Sequence, residues 1–389
     1  MSDAPFEQPL QADPGVYASF PEIIYTDRGL IVTMLCQDLA ELRKHPLHAH
    51  YQPVARLRYA VSTDQAATWT VTDEPPAIGR FVHATRFTAP VDGGGIVRTP
   101  RWYLNGTMQA ESLRARLYRS VLTNPQEVPI TDRGPDGWTP REMEPVLWGL
   151  ARLEDGSILG AAYARLADAA PRDTVEGAAM EQAWPKDAQR WTVFFYKGSS
   201  DGQTWRYLSR IPNRHTFCLG EASIAAMGGG RIVCVIRTDW PVGYKDLLPD
   251  EVNGNGRNRE GYGWWLYQSE SADNGLTWTE PVRLPIWGHP PNLLRLRDGN
   301  LLMVLGHRRL PFSIRAVLSR DGGRTWDLST LKTVRTFDPG GYDMGYPVAT
   351  QLEDGRILCC YYGYSTSDVG DKAPHGVFAS TFSVDWLTR

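Results

Sequence analysis

Six copies of one hairpin pattern constrain the fold of this chain more than any other feature. In each copy, two apolar segments flank a short turn rich in aspartate and glycine, which is the strongest local signal for a β-hairpin. The copies recur at intervals of roughly 55 to 75 residues, the length of a four-stranded antiparallel sheet with its loops. The turns lie at Asp27–Gly29, Asp92–Gly93, Asp155–Gly156, Gly228–Gly230, Asp298–Gly299 and Asp354–Gly355.

A second repeat, Ser-x-Asp-x-x-x-Thr-Trp, follows four of these hairpins. An aspartate in such a turn accepts hydrogen bonds from its own backbone, and a glycine supplies a positive φ. The tryptophan then begins or ends a strand and packs between sheets. We interpret the repeat as structural, with its aspartates on outer turns far from any catalytic centre. The copies occupy residues 62–69, 199–205 (one residue shorter), 271–278 and 319–326, and a degenerate copy begins at Ser383.

The composition agrees with an all-β chain rich in turns. The 389 residues include 37 Gly, 28 Pro, 14 Trp and 17 Tyr, and few segments have a helical period. A regular array of four-stranded sheets closes radially into a β-propeller, which also removes exposed sheet edges. No linker composition divides the chain. We therefore predict a six-bladed β-propeller with four-stranded antiparallel blades, forming a single domain over residues 1–389.

The charge and hydropathy patterns exclude two classes of partner. Lys+Arg 41 against Asp+Glu 44 gives a net charge of −3 with the signs well mixed, so no basic field exists to hold a nucleic acid. Apolar stretches such as Leu301 to Leu305 are far shorter than the ~20 residues of a membrane-spanning helix. The first residues lack the features of a secretory signal. We expect a soluble cytoplasmic protein, or a secreted one if a signal was trimmed; the oligomeric state is not predicted.

The cysteines indicate neither a disulfide framework nor a metal site. Their number is odd, no Cys-x-x-Cys occurs, and three of them lie in apolar runs typical of strands. Buried free thiols are the expected state. The five are Cys36, Cys218, Cys234, Cys359 and Cys360.

The Ser-x-Asp-x-Gly-x-Thr-Trp copies resemble the Asp-box, or bacterial neuraminidase repeat. Together with the six hairpins, they make the whole chain resemble the sialidase superfamily of six-bladed propellers. Asp-boxes also occur outside enzymes, so they support the fold more strongly than the activity. Function has to be argued from the innermost strand of each blade, whose start faces the central axis.

Alignment of the six hairpins on their turn glycines brings out two residues. Tyr346 lies nine residues before Gly355, and Glu221 lies nine before Gly230. The resemblance implies that Tyr346 attacks the anomeric carbon and that Glu221 activates it. A phenol with a pKa near ~10 is a poor nucleophile until a carboxylate takes its proton, and a neutral nucleophile avoids repulsion from an anionic substrate. In the alternative interpretation, Tyr346 fills the propeller axis and Glu221 is a solvated loop residue.

Sialidases hold the substrate carboxylate with three arginines, because a planar guanidinium matches a carboxylate in a bidentate manner. The resemblance implies that Arg237 is the second of these. The first belongs to an Arg-Ile-Pro motif, but this chain has Ser19-Phe20-Pro21 at that place. The arginine set is thus incomplete, and ordinary α-sialosides are expected to be poor substrates. The candidates for the third arginine are Arg308, Arg309 and Arg315.

The general acid also lacks its usual setting. The segment after the first hairpin contains three histidines where the sialidase pattern has a lone aspartate. Asp38 is one candidate proton donor, and His48 or His50 could equally donate a proton near neutral pH. The histidines do not form a His-Glu-x-x-His zinc signature. No metal and no other cofactor is predicted.

Further polar residues stand at the starts of other blades, and we predict that they bind substrate. His289 is flanked by Gly288 and by two prolines, which is unusual for a core histidine. Glu144 is a second acid/base candidate. The set is His83, Arg86, Glu144 and His289.

Three functions are consistent with these residues. The first is an exo-acting glycoside hydrolase of sialidase type, retaining through Tyr346, on an anionic sugar that is sialic acid-like or part of a uronic-acid glycan. The second is a polysaccharide lyase on a uronic-acid glycan, in which Tyr346 or a histidine abstracts the C5 proton and Arg237 or Arg309 neutralises the carboxylate. The third is a propeller that binds glycan or protein without chemistry. The Tyr346/Glu221 pair favours hydrolysis, whereas the histidine-rich segment favours the lyase.

Overall fold

The computed structural model describes residues 4–44, 56–99, 113–132, 134, 147–165, 191–213, 218–239, 265–338, 340–370 and 372–389. Within these ranges the chain is almost entirely β-structure. The described helices are two single turns, α1 (Leu39–Arg43) and α2 (Val384–Thr388). In the described part of the chain, neither helix approaches the length or apolarity needed to span a membrane.

Four of the sheets have four strands each, and consecutive strands pair antiparallel. The first comprises β7 (Thr88–Pro90), β8 (Ile96–Arg98), β9 (Leu113–Tyr118) and β10 (Gln126–Ile130). The second comprises β11 (Gly149–Arg152), β12 (Ile158–Arg165), β13 (Trp191–Gly198) and β14 (Trp205–Arg210). The third comprises β15 (Cys218–Gly228), β16 (Arg231–Asp239), β17 (Trp265–Ser271) and β18 (Val282–Trp287). The fourth comprises β19 (Pro291–Arg295), β20 (Leu301–His307), β21 (Ser313–Ser319) and β22 (Asp327–Thr336).

The fifth sheet differs from the prediction of separate four-stranded units, because it has nine strands. It contains two antiparallel runs, β2-β3-β4-β5 and β23-β24-β25-β1. A single parallel residue pair, Tyr17 with His375, joins the two runs, and β6 pairs with β2. The strands are β1 (Phe6–Gln11), β2 (Val16–Thr26), β3 (Gly29–Asp38), β4 (Arg56–Ser62), β5 (Thr70–Thr72), β6 (Phe81–Ala84), β23 (Gly345–Gln351), β24 (Ile357–Tyr364) and β25 (His375–Phe382).

All six predicted hairpins are antiparallel strand pairs in the structure. Their turns need a backbone that favours glycine: φ is +87° at Gly299 and +92° at Gly355. A side chain with a Cβ is strained at such an angle. The aspartate completes the turn, as where Asp298 accepts a 3.0 Å hydrogen bond from the amide of Asn300.

The Ser-Asp-Thr-Trp turns connect the third and fourth strands of their units. In the turn between β17 and β18, Asp273 accepts hydrogen bonds from the Thr277 amide at 2.8 Å and the Thr277 hydroxyl at 2.6 Å. Ser271 donates to the same carboxylate at 2.8 Å. Trp278 is buried against Phe195 of the neighbouring sheet, with ring centroids 4.0 Å apart. These contacts give the motif a structural role, because each hydrogen bond stays within the turn.

The degenerate copy at Ser383 is not such a turn, and that expectation was wrong. Ser383 caps the N-terminus of α2, where its hydroxyl accepts from the Trp386 amide at 3.1 Å. A serine followed by an acidic residue is a common helix start, and the shorter spacing to the tryptophan favours a helical turn here.

The five cysteines are buried and free, as predicted. Burial raises the pKa of the Cys36 thiol to about 12. A thiol is the unreactive form of cysteine, so these residues act as small core side chains.

Side chains on the opening strand of one hairpin accept hydrogen bonds from the backbone of the opening strand of the next hairpin. Ser223 of β15 accepts from the Leu293 amide of β19 at 2.9 Å, and Asn292 of β19 accepts from the Ala349 amide of β23 at 3.1 Å. These contacts hold β15, β19 and β23 side by side. The starts of the three strands, far apart in sequence, therefore lie close together in space.

Candidate active site

Three of the strands that open the six hairpins carry the same irregularity near their start. The antiparallel register shifts between Ser19 and Glu22 in β2, between Gly220 and Ser223 in β15, and between Gly345 and Val348 in β23. A β-bulge of this kind turns a side chain away from its regular direction and is frequent beside active sites. The residues in the shifts adopt a positive φ, which non-glycine residues rarely do. They are Phe20 (54°), Glu221 (36°) and Tyr346 (45°).

The bulges in β15 and β23 bring Glu221 and Tyr346 into contact. The Tyr346 hydroxyl donates a 3.0 Å hydrogen bond to Oε1 of Glu221. Arg237, on the neighbouring strand β16, donates from Nη1 to Oε2 of Glu221 at 2.7 Å and to the Tyr346 hydroxyl oxygen at 3.2 Å. The exposed fractions of Tyr346, Glu221 and Arg237 are 5%, 8% and 8%.

This arrangement is suited to activating a phenol. Glu221 is placed to take the hydroxyl proton of Tyr346. Arg237 is placed to stabilise negative charge that develops on the phenol oxygen, and such a contact is stronger where water is excluded. Tyr346 lies 125 residues from Glu221 and 109 from Arg237, and Glu221 lies 16 residues from Arg237. Only the folded sheets bring the three side chains together.

Asp239 is a further member of the site that the sequence did not single out. It lies two residues after Arg237 on β16, and its Oδ2 is 2.8 Å from Nε of Arg237. Side chains two apart on a strand point to the same face, so the Arg-Thr-Asp spacing was a usable signal. Glu221 and Asp239 together fix the orientation of the guanidinium.

The three candidates for the third arginine lie in different surroundings. Arg308 is buried, lies 5.3 Å from the centre of the Tyr346 ring and donates from Nε to the Met344 carbonyl at 3.0 Å. Arg309 instead lies over the ring of Trp287 at 4.3 Å. Arg315 donates to the Ser313 hydroxyl at 3.3 Å on its own strand. Of the three, the structure brings Arg308 against Tyr346.

His289 is completely buried between the arginines and the backbone. Its Nε2 donates to the Thr238 carbonyl at 2.9 Å. Burial, and then the nearby Arg237 and Arg308, lower the pKa of His289 well below its usual value. The imidazole is therefore neutral, and it adds no further positive charge beside the two arginines.

Arg86 and His83 are placed differently from each other. Arg86 also has a positive φ, of 37°, and its buried guanidinium donates from Nη2 to the carbonyl of Pro291 at the start of β19. It thus reaches the strand beside His289. His83 lies 3.0 Å from the Thr350 hydroxyl, towards the other end of β23 from Tyr346. Burial lowers the pKa of His83 to about 4, so it too is neutral.

The general acid is not located by the described contacts. The exposed Asp38 caps α1, where its carboxylate accepts from the Glu41 amide at 3.0 Å. That bond gives Asp38 a structural role at the end of β3. His48, His50 and Glu144 lie outside the described residues. No group of three or more metal-ligating side chains occurs among the residues that the structure describes.

Aromatic rings surround Tyr346, and the sequence analysis did not identify them. Phe20 meets the Tyr346 ring edge-on at 4.9 Å, Trp148 lies 6.0 Å away and Tyr362 stacks at 6.0 Å. A signal existed for Phe20, because Phe20-Pro21 repeats the Tyr346-Pro347 pattern at the same bulge. Ser19 aligns with the missing first arginine, and the next residue, Phe20, places an aromatic ring against Tyr346.

Comparison with known proteins supports this fold. The sequence model of the BNR repeat-like domain matches residues 247–359, whereas no curated protein matches the chain. A Dyadobacter fermentans protein of unknown function is 19% identical, with a TM-score of 0.65 over 96% of this chain and 98% of that one.

Sialidases share the fold at lower identity. The NanB sialidase of Streptococcus pneumoniae is 11% identical, with a TM-score of 0.54 over 98% of this chain and 70% of its own. A Trypanosoma rangeli sialidase, solved with 2,3-difluorosialic acid as a covalent intermediate, is 12% identical, with a TM-score of 0.57 over 99% of this chain and 59% of its own. The domain match identifies a BNR repeat-like segment within the chain, and the structural matches show that the chain has the fold of the sialidases.

Proposed function

We propose that the chain is a six-bladed β-propeller and a glycoside hydrolase of sialidase type that acts on an anionic sugar. Four blades correspond to the separate four-stranded sheets. The two antiparallel runs of the nine-stranded sheet supply the other two, since the strand pairing that joins them in the described structure is one parallel residue pair. In this interpretation β1 completes the last blade beside β25, which closes the ring.

The observation that carries the proposed activity is the contact of Tyr346 with both Glu221 and Arg237. In the first step, the Tyr346 oxygen forms a bond to the anomeric carbon while the bond to the leaving oxygen breaks. The phenol proton moves to Glu221, and the leaving oxygen takes a proton from a general acid. Water then attacks the same carbon, the bond to Tyr346 breaks and Glu221 returns its proton. The base left by the general acid accepts the proton from water.

Three buried arginines support an anionic substrate. Arg237 and Arg308 contact Tyr346, and Arg86 reaches the strand beside them. A guanidinium binds a carboxylate through paired N–H donors. We assign the substrate carboxylate to Arg308 and Arg86, because Glu221 and Asp239 already hold Arg237. His289 then shapes the pocket as a neutral group, whereas His83, at the other end of β23, would meet only a more distant part of the substrate.

The general acid remains among the candidates that the sequence named. Asp38, His48, His50 and Glu144 are each able to donate a proton to a leaving oxygen. The described contacts of Arg309 and Arg315 are with Trp287 and Ser313, so we assign any role of these two arginines to parts of the substrate outside the reacting sugar.

The same residues would also permit a lyase, because a phenol held by a carboxylate and an arginine can abstract a proton. The experiment that separates the two reactions is product analysis with sialyl, rhamnosyl and uronyl glycans. Both reactions expose a new reducing end, but only a lyase also releases an unsaturated uronate that absorbs in the ultraviolet.

Tyr346→Phe tests the central role, because it removes the hydroxyl and keeps the ring. We expect turnover to fall by roughly 10³-fold or more with little change in stability. Tyr207→Phe, on the remote strand β14, is the matched control and keeps full turnover. Unchanged turnover in Tyr346→Phe would contradict both the hydrolase and the tyrosine-dependent lyase. A wild-type protein that converts no glycan in the panel would favour a binding propeller.

A further inference from the structure

Two neighbouring tryptophan rings at one end of the third sheet each have an arginine lying over them. Trp265 of β17 and Trp287 of β18 are paired across the strands, and their rings meet edge to face at 5.4 Å. Arg283 lies over the Trp265 ring at 5.5 Å, and Arg309 lies over the Trp287 ring at 4.3 Å. These four residues are called the arginine–tryptophan row below.

Both ends of the row are linked to residues of the candidate active site. The Trp265 carbonyl accepts from the Thr238 hydroxyl at 2.8 Å, and Thr238 follows Arg237 directly. At the other end of the pair, Arg309 follows Arg308, which lies against Tyr346. These two links place the row beside the chain segments that carry Arg237 and Arg308.

These tryptophans differ from those of the structural turns. Trp278 and Trp326 are buried, and their Nε1 atoms donate to groups inside the fold at 3.1 Å and 2.9 Å. Trp265 and Trp287 are only half-buried, and Arg283 is exposed. Among the described residues, Arg283 has no acidic partner. Packing of the sheet therefore does not account for a cation placed over each of these rings.

We propose that the arginine–tryptophan row binds the sugar residues of an anionic glycan that adjoin the one held at Tyr346. Large aromatic rings offer an apolar surface to the apolar face of a sugar ring, and guanidinium groups bind carboxylates or sulfates on the same chain. This inference rests on the proposed function and extends it, because it makes the substrate an acidic oligosaccharide. A free monosaccharide would use only part of the site.

The test is calorimetric binding to the full chain carrying Tyr346→Phe, which prevents turnover. The probes are galacturonate, hyaluronan, chondroitin sulfate and sialic acid oligosaccharides, each as the shortest unit and as a hexamer, with maltohexaose as the neutral probe. At least one acidic series is expected to gain affinity with length, on the order of tenfold, and maltohexaose is expected to bind weakly. Arg283→Gln and Arg309→Gln should each remove most of that gain.

Arg320→Gln is the matched control, because Arg320 is an exposed arginine near Asp327 on the remote turn between β21 and β22. It should bind every probe as the parent does. The two glutamine variants alter surface groups, and circular dichroism checks that they fold; Trp287→Phe, which keeps an aromatic ring, should lose less affinity than Trp287→Ala.

The outcomes separate this inference from the proposed function. If no acidic series gains affinity with length, or if the two arginine variants bind as the parent does, the row is not a glycan site. Loss of turnover in Tyr346→Phe, measured separately on the shortest substrates, would still support the catalytic assignment. Conversely, if affinity rises with glycan length but Tyr346→Phe keeps its turnover, the catalytic assignment is wrong and the glycan site stands.

Discussion

What distinguishes Tyr346 from the tyrosines around it is its set of partners. Burial raises the pKa of Tyr163 and of Tyr362 well above the usual value, and Asp343, which accepts a hydrogen bond from Tyr362, raises the latter further. Those phenols stay protonated. The Tyr346 hydroxyl hydrogen-bonds both a carboxylate, of Glu221, and a guanidinium, of Arg237, and its bulge holds it in a strained backbone conformation that is common at functional sites.

Glu221→Gln should separate proton transfer from packing at this site. Glutamine keeps the size of the side chain but cannot take the proton of Tyr346. We expect kcat to fall by roughly 10²- to 10⁴-fold, the usual contribution of a general base, and the acidic limb of the pH–rate profile to change. The measurement is steady-state kinetics across pH, with the exposed Glu353→Gln as control. A variant with an unaltered pH profile would show that Glu221 only orients Tyr346.

Ser19 and Phe20 lead to a prediction about specificity. The first carboxylate-binding arginine of sialidases is absent at this place, and Phe20 lies 4.9 Å from the Tyr346 ring. A standard aryl α-sialoside should therefore be turned over far below the roughly 1–10³ s⁻¹ typical of enzymes on their substrates. Release of the aryl group is measured directly. A rate within that range would mean that another residue, such as Arg86, replaces the missing arginine fully.

At the scale of single elements, the Ser-Asp-Thr-Trp turns were the most predictable part of the fold. Their hydrogen bonds join residues four positions apart, so the local sequence contains all the partners. The bulges at Phe20, Glu221 and Tyr346 were not predictable, because a register shift depends on the neighbouring strand. The error at Ser383 has a local cause instead, because the short spacing to Trp386 favours a helical turn.

Asp321→Asn should reveal how much one such turn stabilises the fold. Burial raises the pKa of Asp321, but hydrogen bonds from Thr325 and Ser319 outweigh it and lower the value to about 2. Because the folded pKa is depressed, this stabilisation is present above the ordinary value of 3.8 and is lost as the pH falls towards 2. The variant should lose roughly 1 kcal/mol at neutral pH.

Denaturant unfolding at several pH values measures this effect. The free energy of unfolding should fall less steeply between neutral and acidic pH in Asp321→Asn than in the wild type, because asparagine does not titrate. Asp368→Asn, an exposed change outside these turns, controls for the lost charge. Parallel pH curves for the wild type and Asp321→Asn would contradict the proposed contribution.

At the scale of the whole molecule, the sequence predicted the repeating units but not how they join. Counting hairpins gave six units because each turn is local. The pairing of β1 with β25 depends on residues at opposite ends of the described chain, which no local pattern relates. The site shows the same limit. Alignment of the hairpins identified Tyr346 and Glu221, whereas Asp239 and Trp148 were found only in the assembled sheets.

Leu10→Ala tests whether β1 stabilises the molecule. Leu10 is 4% exposed and belongs to the same buried cluster as Tyr346. Truncation of a buried leucine costs roughly 2–5 kcal/mol, so the melting temperature should drop clearly. Phe6→Ala, at a residue of the same strand that is 62% exposed, should change stability by no more than about 0.5 kcal/mol. Equal effects of the two changes would mean that β1 is not anchored through Leu10.

The pairing of Phe6 with Thr381 also sets an order of events during synthesis. Strand β1 is made long before β25 and so has no partner until nearly all of the described residues have emerged. Until then β25 has not been made, so β1 stays exposed and unpaired. Because closing so long a loop is slow, we expect the final sheet to form last. Intermediates would then expose the surface that surrounds Tyr346, so that the candidate active site is completed only when β1 and β25 meet.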